Sequence, residues 1–317
     1  MSLRRYVLKR LLLTIPILLG VSIITFAMVK LLPETIVTSL IGLGVDVSEG
    51  TKAALRAKYH LDEPIWIQYL LWLRDAVTLN FGVSPISGRS VVGAIDARLG
   101  NTVALGLFAF VIAVVIGIPT GVIAAVRKGE AADEVSRVGA LFGIATPNFW
   151  LGLMLLLVFG VELGWFRVIP PTELPAWHPD MLKFMVLPAI TLGTASSALL
   201  MRLTRSSVLE EINKEYVKMA RAKGLKERTV ITRHVVRNSL ISVVTVAALQ
   251  IAFLVDGAVV VENVFSWPGV GRLLLDAISQ RDILIIQATV LMIATTIVFA
   301  NLFADVLYSY LDPRIRY

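Results

Sequence analysis

The side chains that most often carry enzyme chemistry are scarce in this sequence of 317 residues. It contains no Cys, which excludes disulfides, thiolate metal sites, iron–sulfur clusters and thiol nucleophiles. His60, His178 and His234 are far apart in the sequence, so a histidine metal cluster is not indicated. The sequence has no Gly-x-x-x-x-Gly-Lys-Ser/Thr motif that would bind ATP phosphates. These features argue against a metalloenzyme, a thiol enzyme and an ATPase.

Long apolar stretches dominate the sequence instead, with 56% hydrophobic and only 17% charged residues. Six stretches contain no charged residue, and each has about the 17–25 residues that a bilayer crossing needs. The first is too long for a cleaved signal peptide and lacks an A-x-A-like site, so we expect it to remain in the protein. The pattern predicts an all-α integral membrane protein with six transmembrane helices. The stretches are 11–29, 101–126, 138–161, 184–201, 239–255 and 283–304.

These stretches divide the chain into an N-terminal region, a core and a short tail. Within the outer loop, two segments have helical spacing, at 51–61 and 64–79. Trp66, Tyr69 and Trp72 fit either a helix at the headgroup level or the core of a small cap domain. The predicted division is 1–100 (a first span at about 11–32 and a folded extracytoplasmic loop at 33–100), 101–312 (five further spans, the fifth extended to 261) and 313–317 (a cytoplasmic tail).

Basic residues predict the orientation of the helices. The termini and the segments 127–137 and 202–238 hold nineteen Lys and Arg, whereas the short loops on the opposite side hold four. Both termini are therefore expected to be cytoplasmic. The net charge of +7 is then an orientation signal, and no nucleic-acid partner is indicated.

Proline and glycine predict how the helices bend and pack. Pro16, Pro119, Pro147 and Pro188 fall inside the apolar stretches, where we expect them to bend the helices. The pairs Gly117/Gly121 and Gly139/Gly143 have the spacing that lets helices approach closely. Between the fifth and sixth stretches, the sequence at 265–269 predicts a turn that Ser266 caps, with its aromatic residues at the membrane interface.

The most informative segment is the basic stretch 202–238, which has ten Lys or Arg and four Asp or Glu. It predicts one helix over 210–223, a terminating glycine at Gly224 with Leu225 as its hydrophobic contact, and a second helix over 226–237. Three interpretations remain open: a surface for anionic lipid, a solvated hairpin without a role, and a docking element for a soluble partner. In the third, the small residues Ala220, Ala222 and Gly224 would let the elbow enter a groove.

The sequence from Tyr216 to Asn238 resembles the EAA loop of ABC importer permeases, and it is closest to the branch for dipeptides, oligopeptides and nickel. The segments 20–26, 101–102, 147–152, 261–272 and 310–316 resemble the same branch in the same order. Ala220 and Gly224 match the second alanine and the glycine of the motif. Its glutamate and first alanine fall on Lys218 and Met219, so a contact specific to glutamate is in doubt.

This resemblance implies a permease subunit in the plasma membrane of a prokaryote. Its expected partners are a second homologous permease subunit, two ATP-binding subunits and an extracytoplasmic substrate-binding protein, besides the lipid bilayer. It also implies that ATP and Mg²⁺ bind to the partners, with no cofactor in this chain. The expected coupling residues are Lys218, Met219, Ala220, Arg221, Gly224, Leu225, Glu227 and Arg228, and the candidate path residues are Asn148, Gln250, Asp256 and Asn263.

Other functions compete with a peptide importer. The same architecture could import nickel chelates or oligosaccharides. An ion-coupled secondary carrier is disfavoured because the six apolar stretches contain no ionisable residue. An intramembrane enzyme lacks paired acids or a Ser/His set in or beside the spans, and a membrane scaffold leaves the long outer loop unexplained.

Overall fold

A computed structural model describes residues 3–30, 48–58, 60–171, 174 and 177–311, except for the side chains at 3–6, 55, 58, 251–256 and 307–311. Within these ranges the regular elements are helices, and the predicted helical class is confirmed. They are α1 (Leu3–Lys30), α2 (Glu49–Lys58), α3 (Ile65–Val77), α4 (Val91–Val126), α5 (Ala131–Ala145), α6 (Asn148–Leu155) with a π-helical continuation (Leu156–Glu162), α7 (Pro179–Ile212), α8 (Glu215–Ala222), α9 (Glu227–Thr229) with a π-helical continuation (Val230–Val236), α10 (Arg237–Val264), α11 (Val270–Gln280) and α12 (Ile283–Leu311).

Four of the described helices, α1, α4, α7 and α12, are long and apolar enough to cross a bilayer. They contain four of the six predicted spans. α4 and α7 have 36 and 34 residues and are therefore about 50 Å long, more than the roughly 30 Å of a hydrocarbon core. α4 begins ten residues before its predicted span, and α7 continues to Ile212, so both are longer than a bilayer crossing requires.

The third predicted span is broken. α5 and α6 meet at an angle of 106°, and the pair counts as a fifth candidate crossing only if both halves are one span. The break lies at Pro147, because a residue before proline is forced out of the helical region and Thr146 is extended. Pro16, Pro119 and Pro188 lie inside continuous helices. α10 contains the predicted fifth span, and its crossing remains a prediction.

α4 and α7 pack closely through glycine. A Cβ atom at Gly117 would lie 2.6 Å from the Ser197 carbonyl oxygen, and one at Gly121 would lie 2.6 Å from that of Met201. The predicted role of this pair is therefore confirmed. The second predicted pair is only half correct: Gly143 packs against Ala198 of α7, whereas a Cβ at Gly139 would meet no described atom within 4 Å.

The short helix α3 rests on α1. Tyr69 lies edge-to-face on Phe26 at 5.5 Å between ring centroids, and its hydroxyl is 2.8 Å from that of Ser22. Trp72 packs on the same phenylalanine, whereas Trp66 remains 63% exposed. Two of the three aromatic residues thus contact α1 inside the protein, and the third retains an exposed ring suited to a membrane interface.

The turn between α10 and α11 is buried, which corrects the prediction of aromatic residues at the membrane interface. Trp267 is fully buried, and its indole nitrogen donates to the Asn101 carbonyl oxygen at 3.0 Å. Gly269, not Ser266, is the N-cap of α11, and it has no side chain to accept a hydrogen bond from the helix. Asn101 completes the contact by donating to the Pro268 carbonyl at 2.8 Å, so the turn is fixed to α4.

Candidate functional site

The hairpin, defined as residues 213–238, turns at Gly224. This residue has φ +77°, a left-handed conformation that glycine adopts without strain. The Leu225 amide donates to the Ala220 carbonyl at 3.4 Å, and the Gly224 amide donates to that of Arg221 at 2.9 Å. These two bonds form a Schellman motif. The predicted termination of α8 at Gly224 is therefore confirmed.

Two predicted helix boundaries in this region are wrong. The helix expected over 210–223 is interrupted, because α7 ends at Ile212 and α8 begins only at Glu215. The second helix does not stop at Arg237, because α9 continues through its π-helical segment directly into α10. The hairpin is therefore attached by two residues to α7 and without a break to α10.

One face of the hairpin is an apolar core. Val217 and Val230 are fully buried, and Ala220 is 8% exposed. Together with Val208 of α7 and Ala125 of α4, these side chains form a single cluster. Ala220 was expected at a docking surface, but it lies on this inner face. Its small side chain lets α8 pack closely against α4 and α7. The exposed face of the hairpin is therefore formed by other residues.

The opposite face is charged and carries two exposed apolar side chains. Met219 is 61% exposed and Leu225 is 42% exposed. Charged residues surround them, and all the charged residues at 218–228 are exposed. They are Lys218, Arg221, Lys223, Lys226, Glu227 and Arg228. Exposed apolar side chains within a charged rim are typical of a protein-binding surface.

Ion pairs make part of this surface rigid. Arg221 donates two hydrogen bonds to Glu227 across the elbow, at 2.7 and 3.1 Å, and holds the pKa of that carboxyl below its usual value. Lys218 pairs with Glu215 at 2.7 Å within α8. Within the described part of the chain, no carboxylate forms a salt bridge with Lys223, Lys226 or Arg228. The surface therefore has a positive charge available for a partner.

The candidate path residues lie on α6 and α10, away from the hairpin. Asn148 is half-buried at the start of α6, and its amide nitrogen would lie 3.9 Å from a Cβ added at Gly257 of α10. Gln250 is 5% exposed, whereas Asn263 is exposed. The side chain of Asp256 lies outside the described residues. The role of these four positions in a path stays a prediction.

A buried carboxylate near the turn was not predicted as part of any site. Glu262 is fully buried, accepts a hydrogen bond from the Thr102 hydroxyl at 2.6 Å, and accepts from the backbone amides of Gly271 and Arg272 at 2.7 and 3.2 Å. It thereby connects α4, α10 and α11. Gly269 and Gly271 are the sequence signal that could have indicated this buried contact, because a Cβ atom at either position would collide with the Glu262 carboxylate.

A second unpredicted contact joins the start of α5 to the last third of α7. Arg205 donates two hydrogen bonds to Asp133, at 2.7 and 2.8 Å, and the Gly129 amide donates to the same carboxylate at 3.0 Å. The Asp133 side chain is 2% exposed. The two residues are 72 positions apart, and neither has a sequence pattern that points to the other.

No group of three His, Asp or Glu residues in the described part of the chain could hold a metal ion. Comparison with known proteins shows the family of the chain. Residues 117–317 match the family described as the binding-protein-dependent transport system inner membrane component, and residues 3–106 match its N-terminal membrane component. The chain belongs to this family. It is a permease subunit of ABC importers, a transport component and not itself an enzyme.

Three relatives align with this permease over nearly their whole length. A dipeptide transport system permease protein from Alkalihalophilus pseudofirmus is 37% identical, and an oligopeptide transport system permease protein from Bacillus subtilis is 40% identical. A glutathione transport system permease protein from Escherichia coli is 39% identical. Each alignment covers 98% of this permease and 99% of the relative. The permease is therefore a multi-pass inner-membrane protein.

Proposed function

We propose that this permease forms half of the path of an ATP-driven importer for short peptides. Dipeptides, oligopeptides and glutathione, the substrates in the names of the three relatives, are all short peptides, which supports this choice. The other half of the path comes from a second homologous permease subunit. Two ATP-binding subunits supply energy from the cytoplasm, and an extracytoplasmic binding protein delivers the substrate.

In this proposal the chain crosses the membrane six times, with both termini and the hairpin in the cytoplasm. The excess of Lys and Arg on that side supports the orientation. α10 and the α5–α6 pair then provide the crossings that complete the four long apolar helices. The outer helices α2 and α3 lie on the side of the binding protein.

The exposed face of the hairpin docks on the ATP-binding subunits. Its contact residues are Lys218, Met219, Arg221, Leu225, Glu227 and Arg228, while Gly224 sets the elbow and Ala220 seats α8 on its own chain. The observation that carries the proposal is the exposed pair Met219 and Leu225, which lies on an elbow fixed from behind by a buried apolar cluster. A partner with an apolar groove and acidic rim fits this surface.

Peptide uptake by the reconstituted complex tests the proposed function. The permease would be purified with its co-expressed partner subunits, placed in proteoliposomes with the binding protein, and supplied with radiolabelled dipeptides and pentapeptides. We expect accumulation only with hydrolysable ATP, and no accumulation from an ion gradient alone. Uptake driven by an ion gradient without ATP-binding chains would contradict the proposal and favour a secondary carrier.

A further inference from the structure

The hydroxyl group of Tyr216 connects three segments that meet beneath the membrane. It donates a hydrogen bond to the carboxylate of Glu211, in the last turn of α7. The Asn238 side-chain amide, in the first turn of α10, donates to the same hydroxyl at 3.0 Å. The carbonyl oxygen of His234 lies 3.3 Å away as a second acceptor. One side chain of α8 thus contacts both membrane helices that flank the hairpin.

The surroundings keep this connection intact. Glu211 is 9% exposed and also forms an ion pair with Lys214 at 2.6 Å. Burial raises the pKa of Tyr216, and the hydrogen bond to Glu211 raises it further. The phenol therefore stays protonated near neutral pH and remains a donor to the carboxylate. A hydrogen bond to a charged acceptor is stronger than one between neutral groups.

α8 needs such a connection because its backbone is interrupted at both ends. Asn213 and Lys214 separate it from α7, and the left-handed Gly224 separates it from α9. The apolar contacts of Val217 and Ala220 hold α8 against the core, but apolar packing has little directional preference. Hydrogen bonds depend strongly on angle and resist rotation or sliding of the short helix.

We propose that Tyr216 is a positioning residue that joins α8, the end of α7 and the start of α10 into one rigid body. A movement imposed on α8 is then delivered to both membrane helices at once. This inference rests on the proposed function, because it assumes that α8 is the element on which the ATP-binding subunits act. It goes further by naming the side chains that transmit the movement.

Tyr216→Phe tests this inference in the full importer, since it removes the hydroxyl and keeps the ring. We expect ATP-binding subunits to co-purify as before and ATP hydrolysis to continue. Peptide imported per ATP hydrolysed should fall about ten-fold, the change expected from the loss of one hydrogen bond to a charged group. Hydrogen exchange of the α8 amides should accelerate while that of the middle of α7 does not change.

Two further variants separate positioning from general damage. Thr232→Val is the matched control, because the Thr232 hydroxyl lies on the same hairpin and, among the described residues, donates only to the Arg228 carbonyl of its own helical turn, at 2.8 Å. It should leave the ratio of transport to hydrolysis unchanged. Glu211→Gln retains an acceptor for Tyr216, and its ratio should lie between those of wild type and Tyr216→Phe.

An unchanged ratio in Tyr216→Phe, or loss of ATP-binding subunits from that variant, overturns the inference while leaving the proposed function intact. Equal losses in Tyr216→Phe and Thr232→Val overturn it as well, because they indicate nonspecific damage. The proposed function fails separately if the wild-type complex imports no peptide at the expense of ATP.

Discussion

Gly224→Ile is expected to separate ATP hydrolysis from transport while the importer still inserts and assembles. Gly224 has φ +77°, and a residue with a Cβ atom in this conformation costs roughly 1–3 kcal/mol, with a β-branched residue at the upper end. Apart from Gly224 itself and its two chain neighbours, no atom of the described residues lies within 4 Å of an added Cβ, so the strain is confined to the backbone of the elbow. The elbow should relax to another angle, and peptide imported per ATP should fall about ten-fold or more.

Two controls isolate the angle of the elbow. Gly224→Asn should retain most transport, because Asn tolerates the left-handed conformation better than other residues with a side chain. Gly88→Ile introduces the same type of strain at φ +67°, also without a described non-neighbouring atom within 4 Å, but in the segment between α3 and α4. Its ratio of transport to hydrolysis should match wild type. Normal uptake by Gly224→Ile would count against a coupling role for the hairpin.

Arg205→Ala is expected to cause a large loss of stability where α5 packs against α7. It removes both side-chain donors to Asp133, whose side chain is only 2% exposed. Removing one partner of such a pair is strongly destabilising, because it leaves the Asp133 carboxylate without its cation. The substitution also removes one of the contacts that hold α5 against α7. A clear decrease in the thermal unfolding temperature of the purified subunit should accompany it.

α5, the helix that carries Asp133, also provides a matched control. Arg137 pairs with Glu134 at 2.8 Å, and both side chains are more than half exposed, so Arg137→Ala should cost at most about 0.5 kcal/mol. The double variant Asp133→Asn/Arg205→Met removes both charges and should recover much of the lost stability, because it leaves no buried charge unpaired. Equal unfolding temperatures for Arg205→Ala and Arg137→Ala would refute this account of the pair.

Much of the helical framework could be predicted because membrane spans are specified locally. The charge-free stretches alone placed α1, α4, α7 and α12, and one glycine followed by a leucine predicted the end of α8. The sequence did not distinguish the break at Pro147 from the bends expected at the other three prolines. A single proline is compatible with a kink or with a break, and packing against neighbouring helices decides between them.

The contacts that fix the hairpin could not be predicted from one sequence. Asp and Arg usually lie on protein surfaces, and Asp133 and Arg205 meet because α5 and α7 pack side by side. Tyr216 and Asn238 are 22 residues apart and come together because the chain reverses at Gly224. The inward position of Ala220 was also beyond the sequence, since in a helix of eight residues nearly any face can be the buried one.

Cross-linking from position 219 tests the central claim most directly. The chain contains no Cys, so Met219→Cys introduces a single attachment site for a benzophenone maleimide without any background substitution. Ser87→Cys, at an exposed position between α3 and α4, serves as the control. In the assembled importer, illumination should join position 219 to an ATP-binding subunit, and position 87 should yield no such product. If the labelled Met219→Cys variant forms no cross-link to an ATP-binding subunit, the result contradicts the proposed docking of the hairpin.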